Sequence, residues 1–181
     1  MTTFTTEDKL AMMPTIYLDV DDVVADWITT AKSIVNRDWT YGSDQVKETD
    51  WDKVRARTRF YRDLPLKPGA HDLVNYCKWA VEQGFAKDLC FLTALPHNND
   101  VPYAVYDKVL WCNANFPGIP MFIGPYSQDK WRHCKPGDIL IDDRVSNCEE
   151  WAKAGGYSHI YRTWEACKPW LTQTLNPTLK L

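Results

Sequence analysis

Apolar residues recur along this chain with two alternating periods. Thr15-Ile16-Tyr17-Leu18-Asp19-Val20 is β-rich and mostly apolar, which predicts a buried strand. Val24, Ile28, Ala31 and Val35 then recur at helical spacing,. Leu73, Val74, Cys77 and Val81 mark a helix over about 70–83, which Gly84 ends,. Asp88 to Leu92 reads as a second strand. Val105, Val109, Cys112 and Phe116 read as the apolar face of another helix, stopped by Pro117-Gly118. Short strands follow at 120–123 and 138–141, then a helix over 145–154, a strand over 159–161 and a last helix from about Trp164. Strands alternating with helices imply βαβ units with right-handed crossovers. The expected fold is α/β, a Rossmann-like doubly wound parallel sheet.

One stretch breaks the rhythm. Residues 36–62 are polar and charged, yet carry Trp39, Tyr41, Trp51, Phe60 and Tyr61. The stretch is too long for an ordinary βα connection. Asp50 is placed to cap a short helix from about Trp51,. A small helical cap inserted after the first strand is expected, so the core domain comprises 1–35 and 63–181 and the cap 36–62.

The polar residues that close the strands carry the candidate chemistry. Asp19 and Asp21 end the first strand, Thr93 ends the second, Asp142-Asp143 follow Ile139-Leu140-Ile141, and Lys130 lies between two short strands. In an open parallel sheet the carboxyl ends of the strands face one crevice. Taken singly, each has an ordinary alternative. Asp19-Val20-Asp21 suits a turn or a helix cap, Thr93 a capping threonine, and Lys130 a solvated lysine. Lys108 lies inside a helical pattern and is expected to point away from a strand end, while Lys135 is a fallback for Lys130. Four converging carboxylates repel by about 4 kcal/mol per pair at about 4 Å and an effective dielectric of about 20. They need a cation, and hard oxygen ligands with phosphate favour Mg2+.

Composition narrows the classes. The chain has 181 residues and a net charge of -3, so one domain with no basic stripe for a stable nucleic-acid partner is expected. No run is long enough to span a membrane, and the first residues lack the pattern of a signal peptide. The six cysteines match no metal spacing and read as reduced core residues of a cytoplasmic protein. His71, His97, His133 and His159 are scattered and match no ligand spacing.

In chain order, the acidic pair, the threonine, the lysine and the second acidic pair resemble the haloacid dehalogenase (HAD) superfamily of phosphotransferases. Within it the chain is most similar to the 5′(3′)-deoxyribonucleotidases. That likeness rests on Leu18 to Asp21 with Ala25-Asp26-Trp27, Leu64-Pro65 through Pro68-Gly69-Ala70, Thr93-Ala94-Leu95-Pro96, Pro102-Tyr103 with Lys108 and Trp111, Asp129-Lys130, and Ile139 to Arg144. One departure is Asp22, where those nucleotidases usually carry glycine. The resemblance implies Asp19 as nucleophile and Asp21 as general acid and base. It implies Mg2+ on Asp19, the Asp21 backbone carbonyl and Asp143, with Asp142 as outer support. Thr93, Ala94, Lys130 and the Asp22 backbone would hold the phosphate, and Trp39, Tyr41, Trp51, Phe60 and Tyr61 are candidates to stack on a base.

The implied activity is Mg2+-dependent hydrolysis of (deoxy)nucleoside monophosphates through an aspartyl-phosphate. Alternatives are a phosphatase for polynucleotide 3′-phosphate ends or a small phosphometabolite, and a non-catalytic phospho-accepting or nucleotide-binding module. The expected partner is a small nucleoside monophosphate, and a homodimer is left open.

Overall fold

The computed structural model describes residues 12–36, 48–96 and 101–176. Five strands form one sheet: β1 (Thr15–Leu18), β2 (Asp88–Thr93), β3 (Met121–Ile123), β4 (Ile139–Asp142) and β5 (Tyr157–Ile160). Their order is β3-β2-β1-β4-β5, and every pairing is parallel. The strand order reverses on either side of β1, and that switch point is where a crevice opens beyond the carboxyl ends. The α-helices are α1 (Trp27–Val35), α2 (Glu48–Arg55), α3 (Ala70–Glu82), α4 (Ala104–Asn115), α5 (Val145–Lys153) and α6 (Trp164–Leu175), with a 3-10 helix at Ser127–His133.

Strand side chains alternate between faces, and the core divides accordingly. Ile16, Leu18, Phe91, Ile139 and Ile141 belong to the main core with α3, α4 and α6. Tyr17, Cys90, Leu92 and Leu140 form a second cluster with Trp151 of α5. Both faces are covered, which explains why these strands read as nearly continuous apolar runs. Five of the six free cysteines are buried, as core residues. Gly69 has φ of 80°, and a Cβ there would lie 2.7 Å from the Trp164 Cβ. Glycine is therefore required both by the turn and by the close approach of α6.

Several boundaries differ from the periodicity. β1 stops at Leu18 because the Asp19 carboxylate accepts the next backbone N–H, from Val20, at 2.7 Å, and the chain turns. The following helix begins at Trp27, after Val24 and Ala25 donate to the Val20 carbonyl in a tight turn. Asp50 lies inside α2, buried, rather than before it. On α4 the buried residues are Ala104, Asp107, Lys108, Trp111 and Cys112. Val105 and Val109 are exposed, so the buried face is rotated from the one the valines suggested, and it carries two charges.

The segment between β1 and α3 leaves and returns through one stem. Ala25 bridges Leu66 in antiparallel fashion, Asp26 N–H donates to the Pro65 carbonyl, and Lys67 N–H donates to Val24. Among the described residues no helix is long and apolar enough to cross a membrane.

Candidate active site

Strand register assembles the site. Leu18 pairs with both Phe91 and Ile141, and the Asp19 N–H donates to the Ile141 carbonyl at 2.9 Å. Asp19 therefore sits beside Asp142, and Thr93 ends β2 just beyond. One ligand oxygen from each of Asp19, Asp142 and Asp143 lies within 4.8 Å of the others. Asp19 and Asp142 are buried, and Asp143 is half-buried.

Lys130 enters from the 3-10 helix, not from an open loop. Its Nζ lies 2.7 Å from Asp19 Oδ1 and 2.7 Å from Asp142 Oδ2. Gly124 makes room for this: a Cβ on it would meet Lys130 Cα at 3.3 Å and Cγ at 3.2 Å. Asp142 is held further by the Arg144 N–H at 2.9 Å and by Asn147 Nδ2 at 2.9 and 3.0 Å. Asn147 is fixed in turn against the Ser127 hydroxyl at 2.9 Å.

Fully ionised, these three carboxylates beside one ammonium would leave two negative charges uncompensated. Burial pushes the Asp19 carboxyl up to about 7, against the pull of Lys130, and Asp142 and Asp21 add to the rise. Burial also raises Asp143 well above the carboxylate range, reinforced by Asp19 and Asp142. For Lys130, burial acts to lower the value, but the Asp142 and Asp19 carboxylates prevail and hold it above that of an ordinary lysine. At about 5 Å each carboxylate pair repels by about 3 kcal/mol at an effective dielectric of about 20. A divalent cation matches the residual charge, and the all-oxygen donor set suits Mg2+.

A second charged pair faces the first. Lys108 Nζ lies 2.6 Å from Asp21 Oδ2 and donates to the Thr93 hydroxyl at 3.0 Å. This corrects the expectation that Lys108 points away: its place on the buried face of α4 carries the ammonium to the end of β2. An ammonium only donates, so Thr93 Oγ1 is the acceptor and keeps its own proton to donate. Its own hydroxyl makes one long contact, to the Ala94 carbonyl at 3.4 Å. Asp21 Oδ1 is buried with no hydrogen-bond partner among the described residues.

Asp22 has φ of 60°, a left-handed conformation that glycine adopts freely and Asp tolerates by bonding locally. Its carboxylate accepts from Ile28 N–H at 3.0 Å and from Lys67 Nζ at 3.2 Å. That anchoring accounts for Asp rather than glycine at this left-handed position. The Asp22 N–H donates to the Ala25 carbonyl at 2.7 Å. The expectation that this backbone group meets a phosphate therefore does not hold, because the turn has already used it.

The aromatic candidates divide. Trp39 and Tyr41 lie outside the described residues. Trp51 is half-buried, with its ring 5.8 Å from Trp27, and Phe60 is buried edge-on to Trp27 at 6.1 Å. Tyr61 reaches the site: Lys108 Nζ lies 4.4 Å from its ring centroid. Burial raises the Tyr61 hydroxyl well above its usual value, and Asp21 adds to this.

Similar folds are found among solved structures. A hydrolase from Streptococcus pneumoniae TIGR4 matches 88% of this chain and 98% of its own at 14% identity and a TM-score of 0.53. A HAD-hydrolase, YfnB, from Bacillus subtilis matches 81% of this chain and 85% of its own at 16% identity and a TM-score of 0.49. No curated protein matches the chain in sequence. The family model described as 5′ nucleotidase, deoxy (Pyrimidine), cytosolic type C protein matches residues 12–161, and the chain belongs to this family of HAD phosphatases.

Proposed function

We propose that this protein is a Mg2+-dependent phosphomonoesterase that hydrolyses (deoxy)nucleoside monophosphates through an aspartyl-phosphate. The observation that carries the reading is the meeting of Asp19, Asp142, Asp143 and Lys130 at the switch point of the sheet, with Asp21, Thr93 and Lys108 alongside. The family match supports the nucleotide as substrate.

The metal would be held by the carboxylates of Asp19 and Asp143 and by the Asp21 backbone carbonyl. When bound, Mg2+ neutralises charge on the transferring phosphoryl group. Asp142, already occupied by Asn147, Arg144 and Lys130, orients its neighbours from behind. Asp19 attacks phosphorus and becomes the acyl-phosphate. Asp21 delivers a proton to the departing nucleoside oxygen, then takes one from the water that cleaves the acyl-phosphate. Lys108 holds the Asp21 carboxylate in place and fixes the Thr93 hydroxyl as a donor to a phosphate oxygen, and Lys130 neutralises a second oxygen.

The insertion after the first strand would act as a cap, and of its described residues Tyr61 lies with its ring over the Lys108 ammonium. Closure of such a segment excludes water and sorts substrates. A panel of deoxynucleoside and ribonucleoside monophosphates, sugar phosphates and 3′-phosphorylated oligonucleotides, assayed for phosphate release with Mg2+, tests the substrate class. The deoxynucleoside monophosphates are expected to give the highest kcat/KM. A preference for oligonucleotide ends or sugar phosphates would overturn it.

A further inference from the structure

Beyond the reacting groups, the return limb of the insertion is tied to α4 by a contact the mechanism does not use. Arg59 Nη2 lies 2.6 Å from Asp107 Oδ1, and Asp107 is fully buried. The guanidinium lies over two tyrosine rings, 4.5 Å from the centroid of Tyr103 and 5.5 Å from that of Tyr106. Both tyrosines are more than half exposed, at 59% and 58%. Arg59 has φ of 67° and Tyr103 has φ of 62°, so each side chain is carried on left-handed backbone that a residue of its bulk rarely adopts. Two such residues in direct contact persist only where their surroundings over-determine them.

The contact is close but poorly aligned. Among the described residues, neither Asp107 oxygen nor Arg59 Nε has a hydrogen-bond partner of good geometry. A fork-to-fork arginine–carboxylate pair would satisfy these atoms, so the contact is weaker than its distance suggests and can be broken. The sequence neighbours complete the picture. Asp107 precedes Lys108, which grips Asp21 and Thr93. Arg59 precedes Phe60 and Tyr61, and the Tyr61 ring covers the Lys108 ammonium. Nearer the root, Trp111 Nε1 donates to the Leu64 carbonyl at 2.7 Å. The limb therefore has a firm hinge at Leu64 and a breakable contact five residues earlier, at Arg59.

We propose that Arg59 is a positioning residue, a latch whose hold on Asp107 keeps the Tyr61 ring seated over the Lys108 ammonium and so closes one side of the Lys108–Asp21 pair. Latched, the ring shields the Lys108–Asp21 pair from water; released, the Arg59 turn loosens between its contact with Asp107 and the Leu64 anchor, and the ring leaves the ammonium. The activity arm of its test rests on the nucleotidase reading; the structural arm does not.

The test is Arg59→Gly, which suits the left-handed backbone while deleting the latch. Because this leaves Asp107 buried and unpaired, Arg59→Gly with Asp107→Asn is the companion variant, removing both charges. Hydrogen–deuterium exchange of peptides covering 48–66 is measured in the full chain, and KM and kcat with a deoxynucleoside monophosphate. The latch predicts exchange at least about threefold faster over 48–66 in both folded variants, and a KM raised about tenfold as the Tyr61 ring no longer shields the Lys108–Asp21 pair. Exchange equal to wild type in the double variant would overturn the latch, as would unchanged KM beside normal turnover of the nucleotide. If the wild type itself turns over no nucleotide, the substrate reading fails, and the exchange arm alone decides the latch.

Discussion

Replacing Lys108 with Met probes the site at a residue whose contacts with Asp21 and Thr93 the hydrophobic periodicity did not predict. Lys108 is 1% exposed and spans Asp21 and Thr93 at 2.6 and 3.0 Å. Met keeps the length of the stem and removes the charge. Breaking a fully buried ion pair costs about 3–5 kcal/mol, but the Asp21 side chain is 28% accessible and rehydrates. The stability cost is therefore about 1–2 kcal/mol, a fall in Tm of about 2–8 °C for a domain of this size. Catalysis loses more. Asp21 is released from its held rotamer and Thr93 loses the donor that fixes its hydroxyl, and misplacement by about 1 Å costs about a hundredfold. That corresponds to about 2.7 kcal/mol in the barrier. The assay is phosphate release from a deoxynucleoside monophosphate with saturating Mg2+, at a temperature well below both unfolding midpoints. A Lys108→Met protein within about threefold of the wild-type kcat/KM would refute the reasoning.

Two further perturbations address the supports of the site. Asp22→Gly is expected to change stability by less than about 1 kcal/mol, since relief of the φ of 60° offsets loss of the Ile28 and Lys67 contacts,. Asp22→Val, β-branched at the same φ, is expected to lose about 2 kcal/mol or more, and denaturant midpoints compare the two. Asn147→Ala removes the donor shared by both Asp142 oxygens. It is expected to weaken Mg2+ binding about 10–100-fold by calorimetric titration, and unchanged affinity would show that Asp142 needs no such support.

The strand ends were legible because each acid or hydroxyl closes an apolar run, and a parallel sheet delivers all such ends to one edge. Asp19, Thr93 and Asp142-Asp143 are of this kind, and the register of β1 with β2 and β4 places them as the pattern implies. The place of Lys108 in the site was not legible, although the residue itself belongs to the family likeness. Periodicity scores hydrophobicity, and Val105 and Val109 on the solvent face of α4 outweighed a buried face that carries Asp107 and Lys108. A buried charge and a solvated one look alike in sequence; they differ only in the partner that the fold supplies. The Asp22 N–H shows the converse. Its position after the acidic motif suggested a phosphate donor, but a left-handed turn spends it on Ala25, and no hydropathy pattern records φ. Phe60 and Tyr61, adjacent in sequence, divide into a core ring against Trp27 and a ring over Lys108, a difference fixed by the turn that Arg59 makes.

The central claim is that Asp19 and Asp143 share one divalent ion beside the transferring phosphate. A crystal soaked with Mn2+ and inorganic phosphate measures this through the anomalous signal of the metal. The account predicts a single peak about 2 Å from a carboxylate oxygen of each, with phosphate beside Asp19 and within reach of the Lys130 ammonium. Full occupancy elsewhere, with Asp19 and Asp143 bound to no metal, would contradict it.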